Sequence, residues 1–179
     1  GLPGNLWVSK IAASAHKEGR VLVTLNGYRF DNFTPWLYLS EDYGTTWNQL
    51  GSNLPMEPLN VVKEDPVIEN ILYVGTDNGL YASFDLGKNF MNMGNHLPRV
   101  PIHDLAIQER ENELVVGTHG RSIYITQLDT VHKIYNHLIH TQEMKASLLT
   151  FDPKQMNKGE SAIDCPPAVS TKRKRRLIK

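Results

Sequence analysis

The sequence is poor in cysteine and has no long apolar run, and both absences limit what the protein can be. Cys165 is the single cysteine among 179 residues, which excludes an internal disulfide and any metal cluster built on cysteines. No stretch approaches the roughly 18 consecutive apolar residues that a membrane-spanning helix needs. The sequence begins at Gly1 without a basic-then-apolar leader, so no secretion signal is visible in it. With 40% hydrophobic and 21% charged residues, the composition is that of a globular protein.

The charge is balanced overall but unevenly distributed. Six of the 19 basic residues and none of the 19 acidic ones lie in the last eight positions, so the remainder carries a net charge of −6. An acidic body does not favour nucleic-acid binding, and we predict no nucleic-acid partner. The basic run at 172–176 is similar to a nuclear-localisation or polyanion-binding signal. Because the rest of the chain is acidic, the preferred interpretation is a solvated terminus, and we predict a disordered basic tail at 153–179.

A repeat of 43 residues runs through the first 128 positions. The tetrapeptides LYLS at 37–40, LYAS at 80–83 and IYIT at 123–126 keep this spacing, and so do Leu54 and Leu97. A period of this length with several short strands per unit is typical of a β-propeller blade. We therefore predict an all-β fold: a partial propeller at 1–128 with about three four-stranded blades near 7–50, 58–93 and 102–127. No fourth strand follows Gln127 in the third unit.

A hairpin motif occurs twice in the same register. Residues 40–47 read SEDYGTTW and fit the pattern S-x-D-x-G-x-T-W, and residues 83–90, SFDLGKNF, are a degenerate copy. The carboxylate can accept hydrogen bonds from loop N–H groups, the glycine supplies a positive φ, and the aromatic residue turns back between blades. We predict a structural role for the residues of both motifs: Ser40, Asp42, Gly44, Trp47, Ser83, Asp85, Gly87 and Phe90.

This motif is that of the Asp-box, or bacterial neuraminidase repeat, and the chain resembles Asp-box β-propellers over residues 1–128. That group includes sialidases, xyloglucanase-type glycoside hydrolases and the sortilin-type receptor propeller. The resemblance is strongest to the C-terminal blades of large bacterial sortilin-like or "glycosyl hydrolase" Asp-box repeat proteins, through residues 7–9, 23–29, 40–47, 73–77 and 115–122. It implies a secreted or periplasmic protein without a cofactor, in which this chain is the final part of a larger propeller and the remaining blades are its partners.

Propeller geometry predicts which face binds a ligand. The loops between second and third strands share one face with the blade-to-blade connections, and the Asp-box hairpins lie on the other. Residues 27–35 form the longest of these loops and mix aromatic, guanidinium and acidic groups, which suits peptide or carbohydrate recognition. Alternatively, Arg29 pairs locally with Asp31, and His119 and Arg121 only satisfy nearby carbonyls. The candidate binding residues are Tyr28, Arg29, Asp31, Asn32, Asp77, His119 and Arg121.

Two classes of function stay open. The first is a peptide- or glycan-binding or scaffold module. The second is part of a sialidase- or xyloglucanase-like glycoside hydrolase whose catalytic residues lie in blades outside this chain, because no pair of carboxylates placed for hydrolysis is apparent here. An intracellular protein-interaction propeller ranks third.

Beyond the blades, the spacing of apolar residues changes to that of a helix. The positions that follow one helix face are Val131, Ile134, Tyr135, Leu138 and Ile139. We predict that the segment 129–152 begins with a helix that packs against the propeller rim and partly covers the last blade. A strand at 145–151 is predicted to follow within the same segment. His137 and His140 share a face, but a metal site needs a third ligand, and we predict no metal.

Overall fold

The computed structural model describes residues 1–93 and 97–149, without the side chains of 143–149. Within these residues eleven strands form three antiparallel sheets, and one helix follows. The first sheet contains β1 (Trp7–Ala13), β2 (Val21–Gly27), β3 (Asn32–Ser40) and β4 (Asn48–Leu50). The second contains β5 (Leu59–Glu64), β6 (Leu72–Thr76), β7 (Leu80–Ser83) and β8 (Phe90–Asn92). The third contains β9 (Ile102–Gln108), β10 (Glu113–Thr118) and β11 (Ile123–Gln127), and α1 spans Leu128–Leu149.

Each sheet follows the chain order from its first strand to its last. The first strands are the innermost, since β1 lies beside β5 and β5 beside β9. This arrangement of radial, meandering sheets is the blade architecture that the 43-residue repeat predicts. The predicted all-β fold is therefore confirmed, with a third blade that has three strands in the described part of the chain.

Two apolar layers hold the three sheets together. The layer between the first and second sheets is built on Leu22, Leu37, Leu54, Leu59, Leu72, Val74 and Phe90. The layer between the second and third sheets is built on Val61, Tyr73, Leu80, Ile102, Leu105, Leu114 and Val116. Because strand residues alternate between faces, the second sheet contributes one face to each layer, whereas the first and third sheets contribute one face to one layer each.

Gly75 sets the distance between the second and third sheets. A Cβ atom at this position would lie 2.7 Å from Val61 Cγ1 and 2.8 Å from Ile102 Cγ2, closer than side chains can approach. Ile102 begins β9, so the glycine lets the innermost strand of the third sheet lie directly against β6. A larger residue would push the two blades apart at the propeller's centre.

The outer faces of the first and third sheets are apolar and largely open. On the first sheet, Val8 and Ile11 stand opposite Leu25 and Val23 in the register, and both are exposed. On the third sheet, Ile123 and Ile125 of β11 are exposed in the same way. Leu2 and Leu6 of the N-terminal segment, together with Trp36 and Trp47, partly cover the first of these faces.

The helix packs elsewhere than predicted. Leu128 and Val131 are buried in the layer between the second and third sheets, and Tyr135 stacks on Phe84 with ring centroids 6.5 Å apart. The helix therefore contacts loops of the second sheet instead of covering the outer face of the third. Ile134 and Leu138, predicted on the buried face, are exposed because the contact stripe runs through positions 128, 131 and 135.

The strand predicted at 145–151 is wrong where the structure describes it, because residues 145–149 continue α1. Ala146, Leu148 and Leu149 favour helix as much as strand. Residues Gly1–His140 form one compact unit, and the chain from Thr141 belongs to a second. Residues 150–151, the tail at 153–179 and Cys165 lie outside the described residues.

Candidate functional site

The loop between β2 and β3 is shorter than predicted and is stiffened by a bulge. Gly27 pairs with Asn32 and Leu25 with Trp36, so three residues of β3 stand opposite Asn26 alone. A single 3₁₀ turn at Tyr28–Phe30 closes the loop, and Asp31 adopts a left-handed φ of 51°. Asn26 Oδ1 accepts a hydrogen bond of 2.9 Å from the Tyr28 N–H. The residues of the presumed long loop at 27–35 are thus mostly strand, because the bulge accommodates the extra residues within the ladder.

Five side chains cluster around this turn, and we call them the aromatic corner: Trp7, Tyr28, Arg29, Phe30 and Phe33. The Arg29 guanidinium lies 5.4 Å from the centroid of the Trp7 ring, a cation–π distance. Arg29 therefore contacts Trp7, and among the described residues it forms no ion pair with Asp31. The Tyr28 and Phe33 rings meet edge to face at 6.4 Å.

The aromatic corner is open to solvent. Trp7 is 59% exposed and Phe30 58% exposed, and Tyr28 is similarly open. Trp7 and Phe30 line a shallow depression together with Asn5, Leu6 and Val8. Exposed aromatic rings beside a guanidinium and the Asp31 carboxylate can stack on a ligand and hydrogen-bond it at the same time.

A chain of polar contacts links the corner to the second blade. Asn26 Nδ2 donates to Asn60 Oδ1 at 3.0 Å, and Asn60 Nδ2 donates to Asp77 Oδ1 at 2.8 Å. Asp77, a predicted binding residue, is therefore occupied by a protein partner. Glu57 on the same face accepts a hydrogen bond of 2.7 Å from the Thr76 hydroxyl. These contacts place the β2–β3 and β6–β7 connections on one face.

The predicted residues of the third blade lie on the corresponding connection after β10. The His119 N–H donates to the Pro101 carbonyl at 2.9 Å, and its ring centroid lies 5.0 Å from that of His103. Arg121 is exposed. No contact joins these residues to the aromatic corner among the interactions of the described chain. Sequence reasoning missed His103, which only the pairing of β9 with β10 brings beside His119.

The innermost strands contribute three charges that the sequence analysis also missed. Lys10 Nζ of β1 lies 2.8 Å from Asp104 Oδ1 of β9. This hydrogen bond and the positive charge of Lys63 on β5 hold the pKa of the Asp104 carboxyl below its usual range, although burial opposes the shift. Three charged side chains, one from each blade, therefore lie close together on the innermost strands. No local motif could predict this cluster, because Lys10 and Asp104 are 94 residues apart in the sequence.

The two motif hairpins have the same hydrogen-bond pattern. Asp42 accepts bonds from the Ser40 hydroxyl at 2.8 Å and from the N–H and hydroxyl of Thr46 at 2.8 and 2.6 Å. Asp85 accepts bonds of 2.8 Å from Ser83 and from both nitrogens of Asn89. The bonds from Thr46 and Ser40 lower the pKa of Asp42 to about 2.

Backbone conformation repeats in the two hairpins as well. Tyr43 and Gly44 have φ of 58° and 86°, and Leu86 and Gly87 have 56° and 82°. Phe90 is buried between the first and second sheets, and Trp47 packs on the outer face of the first sheet. Both carboxylates accept hydrogen bonds from within their own loops, and the structural role of the two motifs stays a prediction.

Two buried polar clusters lie at the hairpin end of the sheets. Arg20 is buried and lies 2.8 Å from both Glu41 and Glu69, and 3.5 Å from Glu64. Asp65 is fully buried and accepts bonds from Tyr73 at 2.7 Å and His132 at 2.8 Å. Both clusters join residues far apart in sequence, and for that reason no spacing revealed them.

Burial acts to raise the pKa of Asp65, but hydrogen bonds outweigh it. The donors are His132, Tyr73 and the N–H groups of Ile68 and Val67, and they hold the pKa below its ordinary value. Burial, and then the Asp65 charge, raises the pKa of the Tyr73 phenol. Asp65 is therefore an anionic acceptor that ties β5, β6 and α1 together.

Three carboxylates on or near the loop face are engaged by other side chains of the protein. Glu57, Asp77 and Asp104 on the loop face are each bound by a neighbouring side chain. In the described part of the chain no three His, Cys, Asp or Glu side chains converge as metal ligands would. Over the same residues, no helix combines the length and apolar character needed to cross a bilayer.

Comparison with known proteins gives matches in structure only. No protein-family model matches the sequence, and no curated protein matches it. An ancestral GH74 enzyme is similar in structure, with a TM-score of 0.53 and 18% identity over 64% of this chain and 14% of that one. The GH74 enzyme of Niastella koreensis gives a TM-score of 0.54 and 17% identity over 67% of this chain and 21% of its own.

Identities this low show the fold alone, and the chain spans about a fifth or less of each neighbour's length. The neighbours are propeller enzymes. The chain therefore has an all-β fold and is built as a portion of a β-propeller.

Proposed function

We propose that this chain forms the last blades of a larger Asp-box propeller and binds a peptide or glycan at the aromatic corner. The observation that carries the proposal is the exposure of Trp7, whose ring lies under the Arg29 guanidinium, and of Tyr28 and Phe30 in the adjoining turn, on the face that bears the β2–β3 and β6–β7 connections. Large aromatic rings are commonly buried, and a cluster left open beside charged groups is typical of a recognition surface.

The recurrent hydrogen bonds of the two hairpins support the Asp-box assignment. Both hairpins hold a carboxylate that accepts from a serine four residues before the motif glycine and from the residue that precedes the aromatic. These contacts engage the carboxylates of Asp42 and Asp85, which supports a structural role for both residues. The proposed ligand site therefore lies on the other face, away from both hairpins.

Of the other candidate residues, Arg29, Asp31 and Asn32 differ in what they can offer a ligand. Asn32 Oδ1 accepts from the Thr34 N–H and from Trp36 Nε1, at 3.1 and 3.3 Å, so its oxygen is engaged. Arg29 and Asp31 are exposed, and they provide a donor and an acceptor beside the rings. We assign Tyr28, Arg29 and Asp31 as the ligand contacts, and His119 and Arg121 as a second, weaker contact.

The alternative is that the chain is part of a glycoside hydrolase. Its support is the structural likeness to two GH74 enzymes. A hydrolase needs an acid with a raised pKa opposite a second carboxylate, whereas the pKa of Asp104 is lowered. Under this alternative the catalytic carboxylates belong to other blades. Under either, we place the protein outside the cytoplasm, secreted or periplasmic.

The test is a glycan and peptide array probed with this chain, followed by titration of each hit against two variants. Tyr28→Ala removes an exposed ring and should weaken binding about ten-fold or more, with an unchanged melting temperature. Tyr43→Ala is the matched control, because Tyr43 is also exposed but lies on the hairpin face. Equal affinity of the Tyr28→Ala variant and the parent chain would show that the corner is not the site.

A further inference from the structure

Four basic residues lie at one end of the third sheet, and we call them the basic cluster: Arg99, His103, His119 and Arg121. Arg99 and His103 lie on either side of Pro101, where β9 begins. His119 and Arg121 follow the end of β10. Because Ile102 pairs with Thr118, both segments meet at the same end of the sheet. This end belongs to the loop face, and all four residues are exposed there.

The two segments hold each other in place. The His119 N–H donates to the Pro101 carbonyl at 2.9 Å. The Thr118 hydroxyl donates to the Ser122 carbonyl at 2.6 Å and closes the turn between them. Ser122 adopts a left-handed φ of 85°, which is uncommon for a residue other than glycine. The turn therefore has a defined shape before any ligand binds, and less conformational entropy is lost on binding.

The positive charges of the basic cluster have no acidic partner within the described residues. Neither Arg99 nor Arg121 forms an ion pair there. Asp104, beside His103 in the sequence, is bound by Lys10 at 2.8 Å instead. Apart from its last eight positions the chain carries a net charge of −6, so this end of the sheet contrasts with the rest of the protein. Guanidinium groups without a partner in an acidic protein indicate a ligand of negative charge.

The basic cluster suits an anion better than a metal ion. The rings of His103 and His119 lie with their centroids 5.0 Å apart, as in part of a metal site. Among the described residues, however, no third histidine, cysteine, aspartate or glutamate joins them, and the charges of Arg99 and Arg121 repel a cation. Guanidinium groups form forked, charge-assisted hydrogen bonds with carboxylates, and an imidazole N–H can donate a further bond. A carboxylate is therefore the ligand group that all four side chains fit.

The surroundings favour a carboxylated sugar chain over an acidic peptide. Peptides are commonly bound through their backbone, but here the His119 N–H and the carbonyls of Pro101 and Ser122 bond within the protein. Side chains are left to contact the ligand. Two blades away on the same face, the aromatic corner offers rings such as Tyr28 and Phe30, on which sugar rings can stack. A polysaccharide that carries carboxylates matches both surfaces.

We propose that the basic cluster binds the carboxylates of an acidic polysaccharide that contains uronic acid residues. Arg99 and Arg121 are the main carboxylate contacts, and the two histidines donate further hydrogen bonds. The inference rests on the proposed function, because it names the ligand class of the same face. The aromatic corner contacts sugar rings, and the basic cluster contacts their charged groups. A neutral glycan satisfies the first of these surfaces and leaves the second unpaired.

The experiment is a calorimetric titration of the full chain, at low ionic strength, with two matched oligosaccharides. One is an oligomer of galacturonic acid, and the other is the same oligomer with each carboxylate reduced to a primary alcohol. We expect the acidic oligomer to bind at least about ten-fold more tightly. Added salt should remove most of this difference, because it screens exposed charges. Equal affinity of the two oligomers, or no binding of either, would overturn the proposal.

Two arginine variants locate the bound carboxylates. Arg99→Gln and Arg121→Gln should each weaken binding of the acidic oligomer about five-fold and leave the affinity of the reduced oligomer unchanged. Arg110→Gln is the matched control, because Arg110 is exposed and its loss removes the same charge at the opposite end of β9 and β10. An equal loss of affinity in all three variants would show that only net charge matters, and the proposal would fail.

Tyr28→Ala separates this proposal from the proposed function. It should weaken both oligomers by the same factor, since it removes a ring and no charge. If Tyr28→Ala weakens binding while the two arginine variants bind normally, the basic cluster is not a carboxylate site and the proposed function stands. If the arginine variants lose affinity while Tyr28→Ala binds normally, the basic cluster is the site and the aromatic corner is not.

An acidic peptide is the competing ligand. A glutamate peptide with as many carboxylates as the galacturonate oligomer should bind at least about ten-fold more weakly, because it offers no sugar ring to the aromatic corner. Weaker binding of this peptide supports the polysaccharide. Affinity equal to that of the galacturonate oligomer, together with a loss in Arg121→Gln, would overturn the assignment to a polysaccharide.

Discussion

Replacing Asp65 with alanine tests whether one buried carboxylate ties the second sheet to α1. Asp65 is fully buried and accepts four hydrogen bonds, from His132, Tyr73 and the N–H groups of Val67 and Ile68. The variant removes all four acceptor contacts at once. Sites of this kind are among the few at which one substitution threatens the fold.

The size of the fall in the free energy of unfolding depends on which of the four hydrogen-bond donors water can reach. Val67 is exposed and His132 is not fully buried, so water can replace part of what they lose. Tyr73 is fully buried, and an unsatisfied buried hydroxyl costs about 1–3 kcal/mol. With the lost charge-assisted bonds, we expect the free energy of unfolding to fall by about 3–5 kcal/mol.

Urea denaturation followed by circular dichroism measures this change, at two protein concentrations to detect association. Asp65→Asn is the matched control, because it keeps one oxygen for the two backbone N–H groups and should cost about half as much. Tyr73→Phe supplies a second check. In that background Asp65→Ala should cost at least about 1 kcal/mol less, since no hydroxyl is left unsatisfied.

The reasoning fails if Asp65→Ala lowers the free energy of unfolding by less than about 1 kcal/mol, a loss typical of an ordinary surface contact. It fails equally if the cost is the same with Tyr73 and with phenylalanine at that position. Either result would mean that the cluster relaxes and that the contacts of Leu128, Val131 and Tyr135 suffice to hold α1.

Three further predictions concern acid, the hairpins and the terminal faces. Because the pKa of Asp65 is lowered in the folded state, the stability that its charge contributes is complete above the ordinary pKa of about 3.9 and is lost as pH falls through the folded-state pKa. The urea midpoint of the parent chain should therefore drop below about pH 4, and the midpoint of Asp65→Asn should drop by a smaller amount. Asp42→Ala should lower the melting temperature by a few degrees and leave ligand affinity unchanged; lost binding in a normally melting variant would contradict this. The isolated chain should self-associate through Val8, Ile11 and Ile125, so a concentration-independent monomer in sedimentation velocity would count against the fragment interpretation.

The blades could be predicted because their signals are local. Strand alternation, turn residues and the 43-residue spacing are all properties of short segments, and they sufficed to predict an all-β fold of repeated antiparallel sheets. The two hairpins were predictable for the same reason, since Ser40, Asp42 and Thr46 lie within one motif. Local chemistry therefore determined most of the fold.

What the sequence could not reveal depends on pairing between distant segments. The bulge opposite Asn26 depends on how β2 and β3 align, and it turned an apparent loop into strand. Trp7 joins the aromatic corner only because β1 pairs with β2. The buried face of α1 was misjudged because Ile134 and Leu138 fit a helical stripe as well as Leu128 does, and the propeller surface decides which residues it covers.

Gly75, which lets the second and third sheets lie close together, has a counterpart in β10 that faces no further sheet among the described residues. Gly117 occupies the place in β10 that Gly75 has in β6, but the atoms nearest to a Cβ there belong to Asp104 of its own sheet, at 3.4 Å or more. Alanine at this position would therefore be tolerated by the chain alone. In a closed ring the same methyl group would meet the innermost strand of the next blade, as it would at Gly75. Alanine at 117 thus distinguishes an open arc, which accepts it, from a complete circle, in which it wedges two blades apart.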